Sequence, residues 1–233
     1  MNHPLIVMPV TGLPEISAGT RLADVIAAAT ELRHHDVVVV TQKVVSKAEG
    51  RLVALDPDDP DARRTLIERE SIRVLRRRDE LIISETPHGF VCANAGVDQS
   101  NVPWGWAALL PVDADRSARR IRDGLRALAG VEVGVIVSDT FGRPWRVGLT
   151  DVAIGCAGIA AVVDLRGGND AAGRPLTATE IAVADELAGA AELVMGKASG
   201  VPVAVIRGVD HDWFRESTVR AEIVRPRGED LFR

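Results

Sequence analysis

Tyrosine is absent from the 233 residues of this chain, and aromatic residues together make up only 3%. A surface that stacks nucleic-acid bases needs such rings, so that class of function fits poorly. A basic excess is missing as well. Acidic residues number 33 against 28 basic, for a net charge of −5, the wrong sign for tracking a phosphate backbone. Only two cysteines occur. Cys92 and Cys156 lie far apart in apolar, Gly/Ala-rich surroundings, which predicts buried free thiols rather than a disulfide. With no CxxC and no His/Cys cluster, a structural zinc site is not expected. No apolar run approaches the roughly 18–20 residues that span a bilayer, and no basic-then-apolar leader opens the chain. A cytoplasmic protein with no membrane and no nucleic-acid partner is expected. The common nucleotide and hydrolase signatures (GxxxxGK[ST], GxGxxG, GxSxG) are missing too, so any nucleotide is held by another device.

What is present is a mixture of strand and helix patterns. Val37 to Val40, Val131 to Val137 and Val201 to Ile206 are β-branched apolar runs that predict buried strands. Weaker strand candidates are Leu5 to Val10, Leu81 to Ile83, Gly89 to Ala93 and Ile159 to Val163. Four helices fit a 3.6-residue period. The first carries Leu22, Val25, Ile26, Ala29 and Leu32 on one face. The second is predicted over Asp59 to Arg78, with Arg73 to Arg78 as its solvated end. The third opens on Asp115 as N-cap and continues through Ala118, Ile121, Leu125 and Leu128. The fourth opens on a Thr177/Glu180 capping box and runs to a stop at Gly196. Strands and helices do not alternate strictly, and residues 81 to 112 hold no convincing helix. The pattern predicts a mixed α/β (α+β) fold, one domain over residues 1 to 233, with the Asp56 to Asp61 loop as the best candidate for a seam.

Four polar segments could carry chemistry. Ser138-Asp139-Thr140 follows a buried strand and is trailed by Gly142, Arg143 and Arg146. A carboxylate beside a hydroxyl offers hard oxygen ligands for Mg²⁺ or Mn²⁺, and the arginines can neutralise phosphate or carboxylate. Asn94 to Asn101 is a small-residue turn presenting Asp98 to a metal and Asn101 to a phosphate or ribose; taken alone it reads more readily as an Asx-rich turn. In Thr41 to Arg51, Lys43 and Lys47 share a face if the stretch is helical. Gly12 to Ile16 is a Gly-Pro turn that could bring backbone N–H groups to a ligand. Trp104, Trp106 and Trp145 could wall a pocket or pack in the core. Asp210-His211-Asp212 reads as a polar surface loop.

Together these segments resemble the coenzyme F420-0:γ-glutamyl ligase family. The likeness runs in order along nearly the whole chain, through DVVVVTQKVVSKAEGR (36–51), GVDQSNV (96–102), SDTFGRPWRVGLTDVAIG (138–155), DLRGGNDAAGRPL (164–176), TEIAVADELAGAA (179–191) and residues 196–208. The resemblance implies an intertwined homodimer with mixed sheets and flanking helices. It implies an enzyme that adds L-glutamate to the carboxylate of F420-0 using GTP, with Mg²⁺ or Mn²⁺ and K⁺. The same chemistry on another acceptor acid, or a nucleotide-binding homologue without catalysis, would keep many of these residues. In some relatives a nitroreductase-like domain follows; none is expected here, since the sequence ends at Arg233. Carried over by motif, the nucleotide positions are Leu13, Pro14, Glu15, Ile16, Gln42, Lys47 and Asn101, and the metal positions are Asp98, Asp139 and Thr140. Lys47 and Arg143 are the expected catalytic cations. Gln42 departs from the family, which often has Ser there.

Overall fold

Residues 4–231 are described by the computed structural model. The elements run β1 (Ile6–Pro9), α1 (Leu22–Ala29), β2 (Val37–Thr41), α2 (Gln42–Ala48), β3 (Leu52–Ala54), α3 (Ala62–Arg69), β4 (Arg73–Arg78), β5 (Leu81–Glu85), β6 (Val91–Ala93) and β7 (Trp106–Ala108). They continue with α4 (Ala114–Ala129), β8 (Gly134–Arg143), β9 (Arg146–Ala157), β10 (Val163–Asp164), β11 (Glu180–Ile181), α5 (Val183–Met195), β12 (Val203–Arg207) and α6 (Val219–Glu222).

A five-stranded sheet in the order β1-β12-β2-β8-β9 forms the centre, and only its β2–β8 pair is parallel. The four valines of β2 are wholly buried because both faces of the sheet are covered. Alternation along the strands sorts two cores. Val38, Val40, Val135 and Val137 pack with Ile26 of α1 and Ala118 and Leu125 of α4. Val37, Val39 and Ile136 pack with Ala184, Leu187, Ala191 and Met195 of α5 on the other face. At the start of β2 the buried Asp36 accepts a forked pair of hydrogen bonds from Arg207 at 2.8 and 2.7 Å, which pins β2 to the end of β12.

A three-stranded antiparallel sheet, β4-β5-β6, lies apart with its own apolar cluster of Leu66, Ile67, Ile82 and Leu109. The exposed 56–61 loop leads into it. The sequence reading of one helix over 59–78 fails here: α3 ends at Arg69 and Arg73–Arg78 is an edge strand. Val74 packs against the cluster, while Arg73 pairs with Glu85 and Arg77 with Glu68. Arginines on an edge strand block pairing with a further strand.

Three other expectations shift. The N-cap of α4 is Asp113, whose Oδ1 accepts from Arg116 N at 2.9 Å. Asp115 instead reaches across the fold, accepting from the backbone N–H groups of Cys156, Val219 and Arg220. The Thr177/Glu180 box caps nothing: Glu180 and Ile181 form β11, and α5 begins at Val183, although Gly196 does end it. Of Ile159 to Val163 only Val163 is strand; the rest is loop, buried at Ile159, Ala160 and Ala161. The two cysteines are free and buried, and burial pushes both thiols up to about 12. No helix among the described residues is long and apolar enough to cross a membrane.

Candidate active site

The site forms where β2 ends. Thr41 is the last residue of β2, opposite Ser138 in the parallel ladder, and the chain turns at once into α2. β8 does not stop there. It runs on to Arg143, so the Ser-Asp-Thr cluster lies inside a strand rather than in the turn after it. Past Thr41 it has lost its β2 neighbour, which leaves Asp139 and Thr140 partly buried at an open edge.

Neighbouring residues of a strand point to opposite faces, so Asp139 and Thr140 serve two sides. Asp139 shares the side of Val137 and Phe141. Its neighbours include Cys92, whose thiol feels the Asp139 charge, and Asp98. Asp98 is held by a backbone bridge to Ala108, and its carboxylate accepts from Lys43 Nζ at 2.8 Å and from Ser100 N at 2.7 Å. Lys43 also donates to Ser100 Oγ at 2.6 Å. On the other side Thr140 stands opposite Asp151 of β9 and donates to its Oδ1, while Ser138 donates to Oδ2 at 3.0 Å. Lys197, in the Gly-flanked loop after α5, donates to Thr140 Oγ1 and sits 3.2 Å from Asp151 and 3.4 Å from Glu192.

Charge at the site is acid-rich. Burial, followed by the negative charges of Asp151 and Asp98, pushes the Asp139 carboxyl up to about 7, against the Thr140 N–H and Lys197. Burial also acts to raise Asp98, but hydrogen bonds from Lys43 and Ser100 outweigh it and hold that group low. A carboxyl raised by neighbouring carboxylates is one that a cation would relieve. Carboxylate and hydroxyl oxygens are the donor set of Mg²⁺ or Mn²⁺, so the residues fit such an ion. No three His, Cys, Asp or Glu side chains among the described residues form a ready-made cage.

The remaining sequence-derived positions fall out differently. In the 12–16 turn Leu13 and Ile16 pack into the core while Pro14 and Glu15 stay exposed. Glu15 accepts from Lys47 Nζ at 2.6 Å, so Lys47 and Lys43 do share a face of α2, each with an acidic partner. Gln42 is buried: its amide donates to Leu109 O at 2.9 Å and Ser46 Oγ at 2.6 Å, tethering α2 to the strand-like 107–110 stretch. Asn101 is exposed at a positive φ of 54° beside Ser100. Arg143 donates to Val147 O at 2.7 Å and braces the β8–β9 hairpin. Trp104, Trp106 and Trp145 are exposed rather than core, and His211 stacks on His35 at 4.1 Å. Asp151 and Lys197 escaped sequence reasoning. A plain two-residue turn at Pro144-Trp145 would set Leu149 opposite Thr140, and the irregularity between Gly142 and Arg143 shifts the register so that Asp151 stands there instead; the Gly-Lys-Ala-Ser-Gly loop gave only a faint signal.

Carboxylates on both faces of one strand, with lysines beside them, gather opposite charges at this edge of the sheet. The model of the F420-0:gamma-glutamyl ligase family matches residues 12–208, and the chain belongs to that family. It is 44% identical to the coenzyme F420:L-glutamate ligase of Methanopyrus kandleri, with 98% of each chain covered. The protein of that name from Methanothermobacter thermautotrophicus is 43% identical, with 96% of this chain and 97% of the relative covered. That from Methanocaldococcus jannaschii is 40% identical over 85% and 84% respectively.

Proposed function

We propose that the chain, acting in the cytoplasm as one unit over residues 1–233, is a GTP-dependent ligase. It joins the amino group of L-glutamate to the carboxylate of coenzyme F420-0. The observation that carries this reading is the meeting of Asp98, Asp139 and Asp151 with Lys43 and Lys197 at the end of β2. Family membership and the printed names of the relatives supply the reactants.

A carboxylate does not condense with an amine in water because its oxygen is a poor leaving group. In the proposed route the acceptor carboxylate oxygen attacks the γ-phosphorus of GTP, the bond to the β-phosphate oxygen breaks, and GDP leaves. The glutamate amine then attacks the acyl phosphate carbon, the C–O bond breaks, phosphate departs and the amine loses a proton. Asp98 and Asp139 on one side of β8, and Thr140 on the other, would hold Mg²⁺ or Mn²⁺. Such ions would neutralise phosphate oxygens and the charge that develops between them. Lys43, Lys47 and Lys197 place ammonium groups around the same edge, offsetting repulsion between anionic reactants. The 13–16 turn, tied to Lys47 through Glu15, would take the guanosine part together with Gln42 and Asn101. K⁺ belongs to the same proposal as a further stabilising cation. Arg143, whose guanidinium also donates to Val147 O, would add positive charge for the same reactants.

Incubating the protein with F420-0, L-glutamate, GTP and Mn²⁺ should give a product heavier by one or more glutamyl residues, and GDP only when both acceptor and glutamate are present. Glutamylation of a different acid in preference to F420-0 would replace the acceptor in this reading. Absence of GDP release with every acceptor would remove catalysis from it.

A further inference from the structure

A second hollow lies on the far side of α2. Successive helical residues are about 100° apart, so Val45 stands about 200° around the helix from Lys43. Val45 and Glu49 line a cavity of about 710 Å³ whose other walls are the start of α1 and the first half of α4. That volume lies in the range of small-molecule sites, roughly 300–1,000 Å³.

The floor is apolar, from Leu22, Val45 and Ile121, all buried. The rim is cationic. Arg116 and Arg120 stand four apart on α4, joined by Arg21 and Arg51. Arg51 holds Glu70 at 3.1 Å and Arg21 holds Asp24 at 3.3 Å. Glu49, the one acid in the lining, accepts from Ser117 Oγ at 2.6 Å. The guanidinium groups of Arg116 and Arg120 have no hydrogen bond or ion pair with any described residue. Like charges four apart weaken a helix, and this chain carries net negative charge to spare. Two exposed guanidinium forks without a protein partner, set over one apolar floor, fit an oxyanion ligand, since each fork matches a carboxylate or a phosphate.

We infer that this cavity is a second binding site, separate from the acid site, for an organic anion with two acid groups on an apolar body. The acid groups meet Arg116 and Arg120, and the body lies over Val45 and Leu22. Isothermal titration of the full chain with suberate and, separately, with hexane bisphosphate tests the site and distinguishes carboxylate from phosphate. The expected result is saturable binding of one or both. Binding should weaken at least tenfold in an Arg116→Ala/Arg120→Ala variant and stay unchanged in Asp139→Asn. Thermal unfolding of the double variant confirms the fold; should it be lowered, Arg120→Gln alone serves. No binding to the parent chain at millimolar ligand, equal binding to the arginine variant, or loss of binding in Asp139→Asn would each overturn the inference.

Discussion

Asp139 combines two demands that oppose each other. With its carboxyl pushed up to about 7 by burial and by Asp151 and Asp98, it binds a proton more tightly folded than unfolded. Stability from this group is therefore full below the unfolded carboxylate range and falls as pH rises toward 7, where the folded protein must hold a charge it disfavours. Asp139→Asn removes that cost. In metal-free buffer at pH 8 the variant should unfold on the order of 2–5 °C higher than the parent, by calorimetry. Its ligase turnover should fall by about 100-fold or more, because a preorganised charge at the phosphates is gone. At subsaturating Mn²⁺ parent turnover should rise with pH through about 7, because proton and cation compete for that carboxylate. A flat profile from pH 6 to 8 would detach Asp139 from the chemistry. At this scale the sequence picked out polar residues that gather at one edge of the sheet, but not the faces they leave from. Asp98, Asp139 and Thr140 stood out by type and neighbourhood, but a linear reading could not see that adjacent residues leave opposite faces of β8. Nor could it see that Gln42 is engaged by Leu109 or Arg143 by the hairpin backbone.

Elements are joined here by a few close approaches. Gly155 of β9 lies against α4 so tightly that an added Cβ would fall 2.3 Å from the Ala114 carbonyl carbon and 2.6 Å from Asp115 N. The obstruction is backbone, which cannot swing aside. Gly155→Ala should destabilise by about 3 kcal/mol, near the upper end for overpacking, seen as a lower denaturant midpoint with an unchanged slope. A milder loss, about 1–3 kcal/mol, is expected for Gln42→Ala, which removes the buried amide that tethers α2. Elements with a strong apolar pattern were legible: β2, β12 and the start of β8, buried on both faces, and α1 and α4, buried along one stripe, all follow their apolar spacing. Misreadings came where a local signal met a tertiary contact. The arginine-rich 73–78 stretch has a helix-compatible composition, yet Val74 and the cross-strand acids draw it into a sheet. Asp115 resembles a cap in sequence, but its carboxylate is engaged by Cys156, Val219 and Arg220 across the fold.

The β8–β9 hairpin projects beyond the central sheet. Near its tip Val147 is 98% exposed and Leu149 69%, with Trp145 also open. Apolar side chains gathered on an exposed arm mark an association surface, and we propose that two copies pair through it as the intertwined homodimer. Sedimentation velocity should give a dimer for the parent chain and a monomer for Val147→Asp/Leu149→Asp; a parent monomer, or a dimer indifferent to both charges, would count against it. Nothing in the periodicity foretold this arm, because its residues alternate like any half-buried strand and only the missing cover distinguishes them.

Chain segments around residues 98, 139–140, 151 and 197 are far apart in sequence and reach one edge only because β2 ends at Thr41 while β8 continues. The proposed chemistry depends on that edge gripping divalent cations with the help of a triphosphate. Electron paramagnetic resonance of free Mn²⁺, titrated with protein in the presence of GTP, reads this directly. The parent chain should remove Mn²⁺ from solution, and Asp98→Asn and Asp139→Asn should each bind it at least about tenfold more weakly. Mn²⁺ uptake that is equal in all three proteins would contradict the account.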